Sequence, residues 1–201
     1  MFRRVIHLLM GFVPAFLMCG VAILVIWLDV VALNMHCCEG GFVEWGQFAS
    51  IMSVGIILAV AAKTFASYRG GIILAAGFYF AMAIREQDAL LDCVFKDLWV
   101  VLVGLDLMVA FYFAAKFRDT ILPGLEKIRS SRYFSTLALS LVLIIVFSRT
   151  FGYKGIWRAL GNYDHLHIAK RVAEESIELL GYILSLGWSL QWVSELRAKK
   201  D

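Results

Sequence analysis

A run of apolar residues at 5–33, interrupted in polarity only by His7 and Asp29, constrains this chain more than any other feature. About 20 such residues, wound as a helix, cross the roughly 30 Å hydrocarbon core of a bilayer. Further apolar runs follow at 47–62, 71–84, 98–115 (with Asp106 inside), 134–148 and 177–193. The composition agrees: of 201 residues 61% are hydrophobic and 17% charged, whereas a soluble domain carries about a quarter charged residues. Only 2 prolines and no period of 20–50 residues exclude collagen-like and solenoid architectures. The expected fold is an all-α, polytopic membrane helix bundle of about six transmembrane helices, forming one membrane domain over residues 1–201. Three of the runs are shorter than a full span. They must recruit flanking amphipathic residues, let the helices tilt, or thin the bilayer locally.

Arg3-Arg4 ahead of an apolar stretch has the shape of a signal peptide, yet the stretch is too long and lacks an A-x-A-like cleavage site. Phe16-Leu17-Met18-Cys19 also lacks the small residue that a lipoprotein box places before its cysteine. The expectation is an uncleaved first helix.

Lys and Arg placement sets the expected orientation. With six spans, one side holds 12 of the 19 basic residues and the other 7. The richer side, which carries both termini and the segment 116–132 with Pro123-Gly124 as its turn, is expected to be cytoplasmic. The acids lean the other way, 11 of 16 lying on or near the outer side, so that the outer face carries net −4 and the inner +8. A multi-pass protein of the bacterial inner membrane fits this polarity. The basic residues are scattered along loops without an aromatic platform, which argues against nucleic acid as a partner.

Charged groups at bilayer depth are costly and mark candidate functional positions. Three segments concentrate them at the outer boundary: Glu44-Trp45-Gly46-Gln47, Arg85 through Asp92, and Lys170 through Glu178. Arg85, Asp88 and Asp92, spaced i, i+3, i+7, fall within about 60° of one another on a helix. Arg171, Glu174 and Glu178 repeat the spacing. The candidate polar cluster is therefore Glu44, Arg85, Glu86, Asp88, Asp92, Arg171, Glu174, Glu175 and Glu178. If both stripes face one cavity, four carboxylates around two guanidinium groups leave an excess of negative charge. A proton, a bound cation, or an outside base such as Lys170 or Arg149 must then neutralise it.

His36, His165 and His167 fall on the outer side with these carboxylates. His165 and His167 with one acid could hold zinc with a position open for water, although the helix-borne H-E-x-x-H pattern is absent. Asp106 is the deepest charge. With no Lys or Arg at its level, its carboxyl must be neutral or hydrogen-bonded to a neighbouring helix. Cys19 reads as a packing residue, while Cys37 or Cys38 could join Cys93 in an oxidising compartment. The segment 149–163 mixes aromatics with Arg149, Lys154 and Arg158, as an interfacial hairpin or short amphipathic helix would.

The function expected from these residues is binding. An outer acidic and aromatic cluster would hold a lipid headgroup, an ion, or a membrane or periplasmic partner protein, with the chain as a subunit of a membrane assembly. Two other classes stay open. One is a membrane-embedded hydrolase or transferase using the outer carboxylates, with or without zinc; the other is an ion- or proton-coupled transporter working through Asp106.

Overall fold

The structure is a computed structural model that describes residues 12–35, 40–161 and 163–198, without the side chains of 163–165. It is 88% helix, and no strand occurs among the described residues. The helices are α1 (Val13–Ala32), α2 (Phe42–Thr64), α3 (Arg69–Arg85), α4 (Asp88–Asp92), α5 (Leu98–Lys116), α6 (Ile121–Arg129), α7 (Phe134–Gly152), α8 (Lys154–Leu160) and α9 (Tyr163–Ala198). Among the described residues, 5 helical stretches are long and apolar enough to cross a membrane. They are α1, α2, α3 with the 3-10 turn before it (Ala66–Arg85), α5 and α7.

The short runs at 47–62 and 71–84 become full spans of 23 and 20 residues by taking in charged residues at their ends, among them Glu44, Lys63, Arg69 and Arg85. Long side chains at a helix end carry their charge to the interface while their stems stay in the apolar layer. The sixth expected run, 177–193, lies inside the 36-residue α9 and is not apolar enough to join the other 5. The reason is visible in what α9 buries. Glu178, Ser185 and Ser189 are inside the protein beside Leu179, Tyr182, Trp188 and Trp192. A helix surrounded by protein has no need to match lipid all round.

Contacts divide the chain into two compact units, one of residues up to Gly46 with Leu139–Gly187, the other of Gln47–Ala138 with Trp188 onward. In the first, Ala22, Val43, Leu179 and Ile183 form the core, with Met18, Val25, Ile26 and Val30 of α1 and Val172 and Leu180 of α9 packed on it. Ser185 of α9 donates to Ser140 of α7 at 2.9 Å, and both are buried. Lipid tails are as apolar as leucine, so helices in a bilayer associate through close packing and such hydrogen bonds.

In the second unit α3 packs along α5 and against α6. Pro123-Gly124 is not the turn that the sequence suggests; it sits in the first turn of α6. Proline is accepted there because the first backbone N–H groups of a helix have no intrahelical partner to lose. Gly124 is buried with Gly71 of α3, and a Cβ on Gly124 would come 2.5 Å from the Tyr68 carbonyl oxygen and 2.8 Å from the Gly71 Cα. The basic segment 116–132 is thus a docked helix. Its Gly124 and Ile128 face inward, while Lys127 lies over the Tyr68 ring, 5.4 Å from the centroid.

Candidate functional site

The sequence-predicted stripe on α9 lies on one continuous helix, and the first unit brings most of its polar groups together. Glu178 is buried, with a side chain 4% exposed. The guanidinium of Arg149 pairs with Glu178 through Nη2 and stands 3.4 Å from Glu174 Oε1 through Nη1. Lys170, one turn before Glu174, places its Nζ 2.7 Å from Glu174 Oε2. Two carboxylates thus meet two cations, and the network is neutral. Arg171, which spacing aligns with the two acids, is exposed instead. The cation that serves them comes from α7, 25 and 29 residues away in sequence. Glu175 is half-buried beside them on α9.

Arg149 reaches this position through a change of helical register. Leu143–Phe147 of α7 is π-helical, and the Ser148 N–H bonds the Leu143 carbonyl, five residues back. The Ser148 hydroxyl then lies 2.6 Å from the Ile144 carbonyl and 3.0 Å from Glu178 Oε1, one proton facing two acceptors. π turns of this kind concentrate at functional positions. After Gly152 the chain breaks at Tyr153 and forms α8, the short helix expected in this segment, with the Trp157 indole donating to the Phe151 carbonyl at 2.6 Å.

Asp29, which in the sequence only interrupts an apolar run, is fully buried in a second π segment, Leu28–Ala32. Its Oδ1 accepts from the backbone N–H of Phe42 at 2.6 Å and of Val43 at 3.3 Å. These are the first amides of α2. The residues before that helix are Gly40 and Gly41, which have no side chain to cap it, so Asp29 supplies the acceptor that Ser, Asp or Asn usually places at the N-cap. Glu44 reaches back to the Gly40 N–H at 2.6 Å and completes the cap.

In the second unit the stripe expected at Arg85, Asp88 and Asp92 does not form. α3 ends at Arg85, Gln87 leaves the helical region, and α4 begins afresh at Asp88. Spacing fixes a common face only while one helix runs through it. Arg85 pairs with its neighbour Glu86. Asp88 and Asp92 are exposed and hold local turns, Asp88 on the Ala89 N–H at 2.7 Å and Asp92 on the Asp97 N–H at 3.0 Å. Asp97 itself stands at φ 61°, a left-handed position that Asp tolerates better than most residues.

Asp106 lies on α5 at one end of a cleft of about 440 Å³ formed with α2 and α3. Its Oδ2 is buried and has no hydrogen-bond partner among the described residues. α3 and α5 touch at Gly77, where a Cβ would come 2.5 Å from that of Ala110. Phe80, Phe113 and Phe117 line the cleft, and Lys63 and Arg69 stand at its other end. Sequence reading identified the acid but not the cleft, because small residues at 59, 62, 76, 77 and 110 give no signal until three helices bring them together.

Among the described residues no group of three or more His, Cys, Asp or Glu is arranged to hold a metal ion. His167 is exposed on α9, while His36 and the side chain of His165 lie outside the described residues. Cys93 is exposed and free, Cys19 is free and half-buried, and Cys37 and Cys38 also lie outside the described residues. Compared with protein-family models, with curated proteins and with solved structures, the chain matches none.

Proposed function

We propose that this multi-pass membrane protein binds an anionic lipid headgroup at the outer end of its first unit. The carrying observation is how the charges there are arranged. Glu174 and Glu178 are turned inward and matched by Arg149 and Lys170. Lys154 and Arg171 are exposed and have no ion pair among the described residues. The exposed Tyr153 and the half-buried Trp157 flank Lys154 in sequence, before and on α8. Tyr and Trp settle at the headgroup level of a bilayer, and Arg takes phosphate oxygens bidentately. The acids are then the inner clasp of the site, and the cations are its ligand-facing part.

In this reading α9 is the sixth span and both termini are cytoplasmic. At 1.5 Å per residue its 36 residues extend about 54 Å, more than the hydrocarbon core requires. The 12 to 7 split of basic residues supports the orientation. Cysteine-accessibility mapping tests it, and an outside location for residues 116–132 sinks it. For the site itself, native mass spectrometry of the detergent-purified chain with phosphatidylglycerol should find that Lys154→Gln with Arg171→Gln retains one lipid equivalent fewer than the unmodified chain. Equal retention by that double variant refutes the headgroup reading.

A further inference from the structure

We propose that the cleft between α2, α3 and α5 binds an anionic phospholipid from the leaflet at its Lys63–Arg69 end, with one acyl chain in the cleft and the phosphate on Arg69. The site is separate from the one proposed above and does not depend on it.

Shape is the first argument. A volume of about 440 Å³ lies within the usual range for small-molecule sites. The lining runs from Arg69 to Phe80 on α3 and from Phe117 back to Asp106 on α5. Each stretch rises by about 16 Å along its helix, which makes the cleft an elongated slot. Val109 near the middle of the span and Phe113 about one turn from its end line it and are exposed. A slot that opens in mid-span opens to lipid, so an acyl chain enters sideways without crossing water.

Charge is the second argument, and it sets the direction. Lys63 is exposed and has no ion pair among the described residues. Arg69 has no carboxylate partner among them either, but its guanidinium is held in place. Nε donates to the Ala62 carbonyl at 2.9 Å and Nη2 to the Lys63 carbonyl at 3.3 Å, and the group lies 4.9 Å from the centre of the Phe117 ring. Of its five N–H donors two are used, which leaves three fixed near the mouth. A guanidinium held in this way loses little freedom when it takes a phosphate. At the opposite end stands Asp106, and no Lys or Arg of the lining lies there to take a phosphate. The lipid therefore has one orientation, head at Arg69 and tail toward Phe80.

The test is native mass spectrometry of the full chain, titrated with phosphatidylglycerol and with phosphatidylcholine. Phosphatidylglycerol should bind more tightly. Arg69→Gln should weaken it about tenfold, the worth of one charge-assisted hydrogen bond. Val109→Trp, which fills the opening, should remove the cleft's one lipid equivalent while leaving the fold intact by circular dichroism. Because Arg69 also ties down two carbonyls of α2, Lys63→Gln and Val109→Trp carry the test if Arg69→Gln does not fold. Unchanged affinity in both, or equal binding of the two lipids, overturns the proposal. So does displacement of the phospholipid by palmitate at equal concentration, which assigns the cleft to a free fatty acid. Lys154→Gln with Arg171→Gln should leave this binding unchanged, so the two lipid sites stand or fall separately.

Discussion

Replacing either partner of the Arg149–Glu178 pair should destabilise the protein, but unequally. Breaking a buried ion pair by removing one partner costs about 3–5 kcal/mol, because the other charge stays desolvated. Here the burial is one-sided: the Glu178 side chain is 4% exposed and that of Arg149 is 49% exposed. Arg149→Gln takes the guanidinium away from the buried carboxylate, and the Ser148 hydroxyl is a neutral donor that does not replace the charge. After discounting for the solvated half of the guanidinium, the loss should be about 2–3 kcal/mol. Glu178→Gln leaves a cation that still has Glu174 and water, and should cost about 1 kcal/mol. The double variant should be no worse than Arg149→Gln alone, which gives a coupling of about 1 kcal/mol or more. Reversible unfolding in mixed detergent micelles measures all three. If Glu178→Gln proves the more damaging single change, or if the two losses add, then the pair is not the clasp described here.

Gly77→Ala should destabilise by about 1–3 kcal/mol, since its Cβ meets that of Ala110 at 2.5 Å, and Ala110→Gly should restore most of the loss in the same unfolding assay. Asp29→Asn keeps an acceptor for the first amides of α2 and should cost well under Asp29→Ala, for which about 1–2 kcal/mol is expected; equal losses would mean that the cap is not what Asp29 supplies. Deleting Ile145 should return α7 to α-helical register, the Ser148 N–H then bonding the Leu143 carbonyl as an ordinary α-helical pair, and leave Ser148 and Arg149 on the face they now occupy. Disulfide trapping between cysteines placed at 149 and 174 should then be as efficient as without the deletion, and its loss in the deletion variant would show that the π turn does not absorb one extra residue ahead of Arg149.

The spans were legible because the bilayer imposes its demand on every residue along about 20 positions, so composition alone carries the signal. α9 escaped that reading in part because its environment is protein. Glu178, Ser185 and Ser189 are bonded or packed inside, and their polarity lowers the apolar signal without exposing them to lipid. The acids of the candidate site were legible for the same reason that they are costly. Their partner was not, since Arg149 lies 25 and 29 residues from Glu174 and Glu178 and only the meeting of α7 with α9 joins them. The stripe at Arg85, Asp88 and Asp92 illustrates the opposite failure. Its arithmetic assumes an unbroken helix, and the break at Gln87 removes the assumption. For Asp29 a signal existed. A helix entered through Gly40-Gly41 has no cap of its own and must borrow one.

Both π segments lie in helices whose outer sides face lipid, and each adjoins the buried polar group of its helix. An α-helix that buries residues four apart advances its buried stripe by about 40° at each step. In α7 the buried positions Ser140, Ile144 and Ser148 are spaced in this way. Over two steps an uninterrupted helix would carry the last of them about 80° toward the lipid side. One wider turn at Leu143–Phe147 takes up the drift, keeps Ser148 facing Glu178, and leaves Ile145, Val146 and Phe147 exposed. The irregular turn also moves the Ser148 N–H one carbonyl back, and the serine hydroxyl meets the Ile144 carbonyl instead. In α1 the wide turn holds Asp29 itself, and its end is tied by the Met35 N–H to the Asp29 carbonyl at 2.9 Å. A membrane helix has no water to satisfy a backbone group that loses its partner, so such turns persist only where another group fills in. Here the fill-in groups belong to the same residues that carry the polar contacts, which ties the irregular backbone and the buried charges into one arrangement.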